Sequence, residues 1–120
     1  MMERKILLFG FTELPAILAA AAAAGPFGAE VVPVAPGDCG LTIGELAAGK
    51  TVGAAPVVLP GRMAVLCGVE DCLDGLLPAL RQAGLVCPKA VMTAHNRTRK
   101  PERLLTELLR EQDAIRRQQR

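Results

Sequence analysis

The chain has 120 residues, a length that fits a single domain. Its formal net charge of +2 is too small to indicate the concentrated basic surface that nucleic-acid binding usually requires. Hydrophobic residues make up 51% of the sequence, which argues against a disordered chain. Three phenylalanines are the only aromatic residues and serine is absent, so the core is expected to be aliphatic and a serine nucleophile is excluded.

The first residues resemble an export signal, because a basic head precedes an apolar stretch that ends in small residues. Glu13 and Pro15 interrupt that stretch, which is also too broken to span a membrane. The same segment suits a folded structure. Residues 5–9 are typical of a strand covered on both faces, and the alanines within residues 13–24 favour a helix. We therefore predict a cytoplasmic protein without a membrane-bound segment.

Residues 5–35 are predicted to form a β-α-β unit. Its second strand covers residues 30–34 and contains Pro33, which has no N–H to donate to a ladder hydrogen bond. This proline predicts that the second strand lies at an edge of the sheet.

A long connection over residues 36–62 follows the first unit. Thr42 and Glu45 have the spacing of a capping box, which predicts a short helix over residues 43–48. Glycine and proline punctuate the rest, so it is predicted to be coil with a brief strand at residues 57–59.

The second unit, residues 63–94, repeats the first. An apolar run, a glycine and acidic residues occur at 6–13 and again at 64–71, which predicts a second β-α-β unit. Its helix is predicted to end before Gly84, and Pro78 inside it predicts a kink or a later start. Its second strand is predicted over residues 89–93.

Two arrangements of these units remain open. The first choice is an α/β fold: a small four-stranded open sheet from two β-α-β units, with helices on both faces and the central first and third strands parallel. The alternative is a ferredoxin-like α+β fold with an added C-terminal helix, in which the same central strands run antiparallel. Both describe one domain over residues 1–120.

Residues 95–120 are predicted to be a loop followed by a helix over residues 101–117. The helix carries one stripe of leucines, with most of its charged residues off that stripe. This pattern indicates a helix that covers an open face of the sheet. It also suits a homodimer contact, made through this helix or through a sheet edge.

The four cysteines favour a reduced, cytosolic protein. None of them forms a C-x-x-C pair, so neither a zinc site nor a redox motif is expected. No metal and no cofactor are therefore predicted. The cysteines are Cys39, Cys67, Cys72 and Cys87.

We call residues 93–103 the basic loop, because it is rich in lysine and arginine and precedes the last helix. In the parallel arrangement it lies at the carboxyl end of the fourth strand, where loop N–H groups and the helix dipole favour an anion. The candidate ligand-binding residues are Thr93, His95, Asn96, Arg97 and Lys100. The alternative is that Thr93 and Asn96 satisfy the backbone of their own turn while the basic side chains are merely solvated.

Two other features bear on catalysis and nucleotide binding. His95 is the only histidine, and no carboxylate, serine or cysteine stands beside it as a partner in general acid–base chemistry. The turns beginning at Gly10 and Gly68 would face each other in the parallel arrangement, but acidic residues follow both glycines and neither turn is a phosphate-binding motif. No catalytic residue is assigned.

The second unit resembles a small bacterial family, domain of unknown function 3783. The resemblance is clearest over residues 63–111 and rests on a lysine-containing strand that ends in Thr-x-x-Asn, followed by a leucine-rich helix with a late glutamate. The matching positions are Lys89, Ala90, Val91, Thr93, Asn96, Leu104, Leu108 and Glu111. The family pattern has a tryptophan where this chain has Arg99. Because the family is uncharacterised, the resemblance implies no activity.

The sequence thus predicts a non-catalytic module of unknown function that binds a protein partner or a small anionic ligand through the basic loop. The alternative is a small enzyme or metabolite sensor that uses the same loop with His95. Nucleic acid is not the expected ligand.

Overall fold

A computed structural model describes residues 3–119. It contains four strands and four α-helices, with short 3₁₀ turns at Gly25–Phe27, Pro36–Asp38 and Glu70–Cys72. In chain order the elements are β1 (Lys5–Phe9), α1 (Leu14–Ala24), β2 (Glu30–Val34), α2 (Ile43–Ala47), β3 (Met63–Cys67), α3 (Leu73–Gln82), β4 (Lys89–Val91) and α4 (Pro101–Gln118).

The strands form one open sheet in the order β2-β1-β3-β4. Within each unit the two strands are direct parallel neighbours, which confirms a four-stranded sheet made of two β-α-β units. The central strands are antiparallel, with Lys5 opposite Cys67 and Phe9 opposite Met63. The prediction of parallel central strands is therefore wrong. The ferredoxin-like alternative had the correct central direction, but its split units would not keep the two strands of each unit side by side.

The connection explains the antiparallel centre, because it crosses the sheet and returns. Lys5 Nζ donates to the carbonyl oxygen of Ala47 at 2.9 Å, so α2 ends beside the start of β1. The coil then runs back, and Val57 N donates to the carbonyl oxygen of Pro36 at 3.1 Å. The chain thus enters β3 at the end where β1 stops. The length of a connection limits the distance that it can span, but it does not determine how many times the connection crosses the sheet.

Helices cover both faces of the sheet, as predicted. Alternate residues of β1 and β3 point to opposite faces because successive side chains of a strand do so. On one face, Ile6, Leu8 and Leu66 pack with α1 and α3, and we call this the first core. On the other face, Phe9 and Val65 pack with α2 and α4 in the second core.

Most element boundaries agree with the sequence patterns, with three differences. The strand predicted at residues 57–59 is coil, and β4 ends at Val91 rather than at residue 93. Helix α3 runs through Pro78 without ending there. Proline has no N–H, so the carbonyl oxygen of Asp74 lacks its usual helical donor, and Asp74 is exposed to water. Pro33 is exposed on edge strand β2, as predicted.

The capping box of α2 is present. Thr42 Oγ1 accepts from Glu45 N at 3.2 Å, and Glu45 Oε1 accepts from Thr42 N at 3.0 Å.

We expect Thr42→Ala to lower the free energy of unfolding by about 1 kcal/mol, because a capping hydrogen bond at a helix start is lost. Urea denaturation measures this, with Thr51→Ala at an exposed position as the control. Equal stability of the two variants would contradict the prediction.

Within residues 3–119, none of the helices combines the length and the apolar character needed to cross a membrane.

Candidate functional site

Thr93 and Asn96 close a turn at the start of the basic loop. Thr93 N donates to Asn96 Oδ1 at 2.8 Å, and Asn96 N donates to Thr93 Oγ1 at 3.2 Å. Asn96 Nδ2 also donates to the carbonyl oxygen of Val91, the last residue of β4, at 3.0 Å. These two side chains therefore hold the loop in shape, and their hydrogen bonds are directed to the chain itself.

Four backbone N–H groups of the loop already have partners within the chain. Arg97 N donates to the carbonyl oxygen of Thr93 and Arg99 N donates to that of Asn96, both at 3.0 Å. The N–H groups of Thr93 and Asn96 bind side chains, as described above. These four N–H groups are therefore not free to bind an anion, and the contribution of the remaining N–H groups of the loop stays a prediction.

The loop docks on the first turn of α2. Gly44 N donates to the carbonyl oxygen of Arg97 at 2.8 Å, and Ile43 N donates to that of Arg99 at 2.9 Å. A Cβ atom at position 44 would lie 3.1 Å from the carbonyl oxygen of Arg97, so glycine permits this close approach. Loop carbonyls thus satisfy N–H groups that a helix start leaves without partners.

His95 is exposed, and its Nε2 lies 2.9 Å from Nη2 of Arg99. Arg99 also forms an ion pair with Glu107 of α4, and Arg103 Nε lies 3.6 Å from the same carboxylate. An arginine cannot accept a proton from the imidazole, so the arrangement lacks the carboxylate that orients a catalytic histidine. The Arg99–Glu107 ion pair joins the loop to α4.

Arg97 and Lys100 are the two candidate residues whose charged groups remain available. Both are exposed, and neither forms an ion pair with any residue between 3 and 119. Arg97 lines a shallow depression of about 360 Å³ between the loop and α2, and Lys50 lines the same depression. A second depression, of about 430 Å³, runs along α4 and includes Lys100 and Arg103.

Lys50 was not singled out by the sequence patterns. It follows α2 in the connection, far from the basic loop in the chain, and only the docking of the loop on α2 brings it near Arg97. The backbone N–H and the hydroxyl of Thr42 lower the pKa of Glu45, and the charges of Lys50 and Lys100 act in the same direction. Glu45 therefore lies within the field of both lysines.

The glycine turns do not form a second site. Because β1 and β3 are antiparallel, Gly10 and Gly68 lie at opposite ends of the strand pair, and the predicted switch point is wrong. Two of the acidic residues after these glycines form ion pairs elsewhere. Glu13 pairs with Arg62 at 2.6 Å, and Asp71 pairs with Arg4 at 2.6 Å.

The cysteines are free thiols. Burial raises the pKa of Cys67 to about 11 and also raises the pKa of Cys39 and Cys87, so these thiols are protonated near neutral pH and poor nucleophiles. In the part of the chain that the structure describes, no group of three or more histidine, cysteine, aspartate or glutamate residues is placed to hold a metal ion.

Comparison with models of protein families, with curated proteins and with solved structures finds no match to this chain. The resemblance to domain of unknown function 3783 therefore stays a prediction.

Proposed function

We propose that this chain is a non-catalytic module that binds an anionic group through the basic loop, the group being carried by a partner protein or by a small ligand. The observation that supports this most directly is the exposure of Arg97 and Lys100 without ion-pair partners among residues 3–119. Exposed charges of this kind attract an oppositely charged partner at little desolvation cost.

The rigidity of the loop adds to the argument. The Asn96 hydrogen bonds fix one end, the contacts with Gly44 and Ile43 fix the middle, and the Arg99–Glu107 ion pair ties it to α4. A loop that is already ordered loses less conformational entropy when a partner binds. Arg97 and Lys100 thus project from a preorganised backbone.

The alternative of an enzyme or sensor that uses His95 has weaker support. The recorded side-chain contact of His95 within residues 3–119 is Arg99, and the depression beside the loop is open rather than enclosed. Catalysis of proton transfer by His95 would be favoured by an enclosed site that excludes water, and the open depression does not provide one. A cytoplasmic location belongs to the same proposal and is supported by the free, partly buried thiols.

Amide chemical shifts test the proposal. In the ¹⁵N-labelled protein at low salt, titration with inorganic phosphate or a glutamate-rich peptide should shift amides within residues 93–103. Replacing both Arg97 and Lys100 by alanine should remove most of this response. The matched control replaces Arg81 and Arg116, two exposed arginines outside the loop, and should retain it.

Shifts that map elsewhere, or that persist in the Arg97→Ala, Lys100→Ala variant, would overturn the proposal. The absence of any response, together with a stable dimer in solution scattering, would point instead to an assembly role through α4 or a sheet edge.

A further inference from the structure

We infer that the anionic group belongs to an acidic segment of a partner protein, and that Lys50 completes with Arg97 and Lys100 a cationic groove that binds its carboxylates. This inference rests on the proposed function and names the partner class of the same site. We call this surface the cationic groove. It comprises Lys50, Arg97, Lys100, Arg103 and Arg110, which line the two depressions. The depressions are neighbours, because the charge of Lys100 in one acts on Glu45 in the other.

The first support for the inference is the position of the charged residues. Lys50 comes from the connection, Arg97 and Lys100 from the basic loop, and Arg110 from α4, so one surface collects cations from three parts of the chain. Two carboxylates, Glu45 and Glu102, share it without an ion pair to any residue between 3 and 119. Its third carboxylate, Glu107, pairs with Arg99 and with Arg103, which leaves Lys50, Arg97, Lys100 and Arg110 opposite two carboxylates. Positive charge therefore remains in excess.

The shape of the groove favours an extended segment over a small molecule. Small-ligand sites bury about 70–90% of the ligand in an enclosed cleft. The two depressions of about 360 and 430 Å³ are shallow and open instead. The larger one is lined mainly by charged side chains, and the smaller one combines three charged side chains with Thr, Gly and Ala residues. An acidic segment lying along such a surface gains several weak charge contacts at once, which suits separated cations.

The same surface is poorly suited to nucleic acid. Glu45 and Glu102 interrupt the cations, so a continuous phosphate backbone would meet like charges. Proteins that bind single-stranded nucleic acid commonly stack its bases on aromatic side chains. Phe9 is in the second core, Phe27 packs against the first core, and Phe11 lies beneath Arg62, with the guanidinium carbon 5.1 Å from the ring centre.

Glu45 offers a sharp test of the geometry. Its Oε1 is held by the capping box, so its charge is fixed beside the groove and repels an incoming carboxylate. Glutamine keeps a capping-box acceptor but removes the charge. Glu45→Gln should therefore bind an acidic peptide more tightly, by about threefold, whereas a groove used by a cationic partner would respond in the opposite direction.

The experiment measures fluorescence anisotropy of a labelled peptide of alternating glutamate and glycine, at low and high salt. Inorganic phosphate, pyrophosphate and a single-stranded oligonucleotide of equal charge serve as comparison probes. The variants are Lys50→Glu, Glu45→Gln, the double variant Arg97→Ala, Lys100→Ala and the control Arg81→Glu, a charge reversal at an exposed position of α3. Circular dichroism verifies that each variant folds. Lys50→Glu should weaken peptide binding about tenfold, and Arg81→Glu should leave it unchanged.

Each other outcome has a definite meaning. Peptide binding that needs Arg97 and Lys100 but ignores Lys50→Glu overturns this inference and leaves the proposed function standing. Binding of phosphate or pyrophosphate without the peptide also overturns it, in favour of a small ligand. Tighter binding of the oligonucleotide than of the peptide overturns it in favour of nucleic acid. Binding of no anionic probe overturns both proposals.

Discussion

Replacing Phe9 by alanine is expected to lower the free energy of unfolding by about 3–5 kcal/mol, the usual cost of removing a buried aromatic ring. Phe9 is fully buried in the second core, at the end of a strand hydrogen-bonded on both sides. Leu104 and Leu105 of α4 belong to the same cluster. The cavity would therefore weaken the attachment of α4 as well as the sheet.

Urea denaturation followed by far-UV circular dichroism measures this loss. Phe11→Ala is the matched control, because it deletes the same atoms from a half-buried position beside Arg62. It should cost clearly less than Phe9→Ala. Similar losses in the two variants would contradict the burial described for Phe9.

Asn96→Ala should give the second largest effect, a loss of about 1–3 kcal/mol together with local loosening of the basic loop. The substitution removes the acceptor for Thr93 N and the donor for the carbonyl oxygen of Val91. Asn96 and Val91 are half-buried, so water compensates only in part. The same loop segment would then bind an anion more weakly, because it is no longer preorganised.

Hydrogen exchange combined with urea denaturation tests this prediction. Amides over residues 93–97 should exchange faster in Asn96→Ala than in Thr98→Ala, whose side chain is exposed and makes no hydrogen bond within the described chain. Unchanged exchange of these amides in Asn96→Ala would show that other contacts suffice to hold the loop.

Local patterns predicted the elements well because their causes are local. The apolar runs of β1 and β3 and the capping box of α2 depend on neighbouring residues, and each appears where the sequence indicates. The direction of β3 relative to β1 depends on the path of the connection across the sheet. That path is set by tertiary contacts, such as Lys5 with Ala47, which no local pattern records.

The candidate site was predicted in part for the same reason. The basic loop begins after β4 and runs into the first turn of α4, as expected, and Arg97 and Lys100 are exposed. Thr93 and Asn96 were predicted as ligand-binding residues, but their side chains form hydrogen bonds within their own turn. Lys50 could be found only from the docking of the loop on α2, which follows from the fold.

The antiparallel pairing of β1 with β3 has a consequence for how the chain folds. Leu7 pairs with Val65, so the central register closes a loop that spans nearly half of the chain. Each β-α-β unit instead joins strands that are close in sequence, and closing a shorter loop costs less entropy. We therefore expect the two units to gain structure before the centre of the sheet forms. The pairing of β1 with β3, which joins the two halves of the molecule, then becomes the slow step of folding.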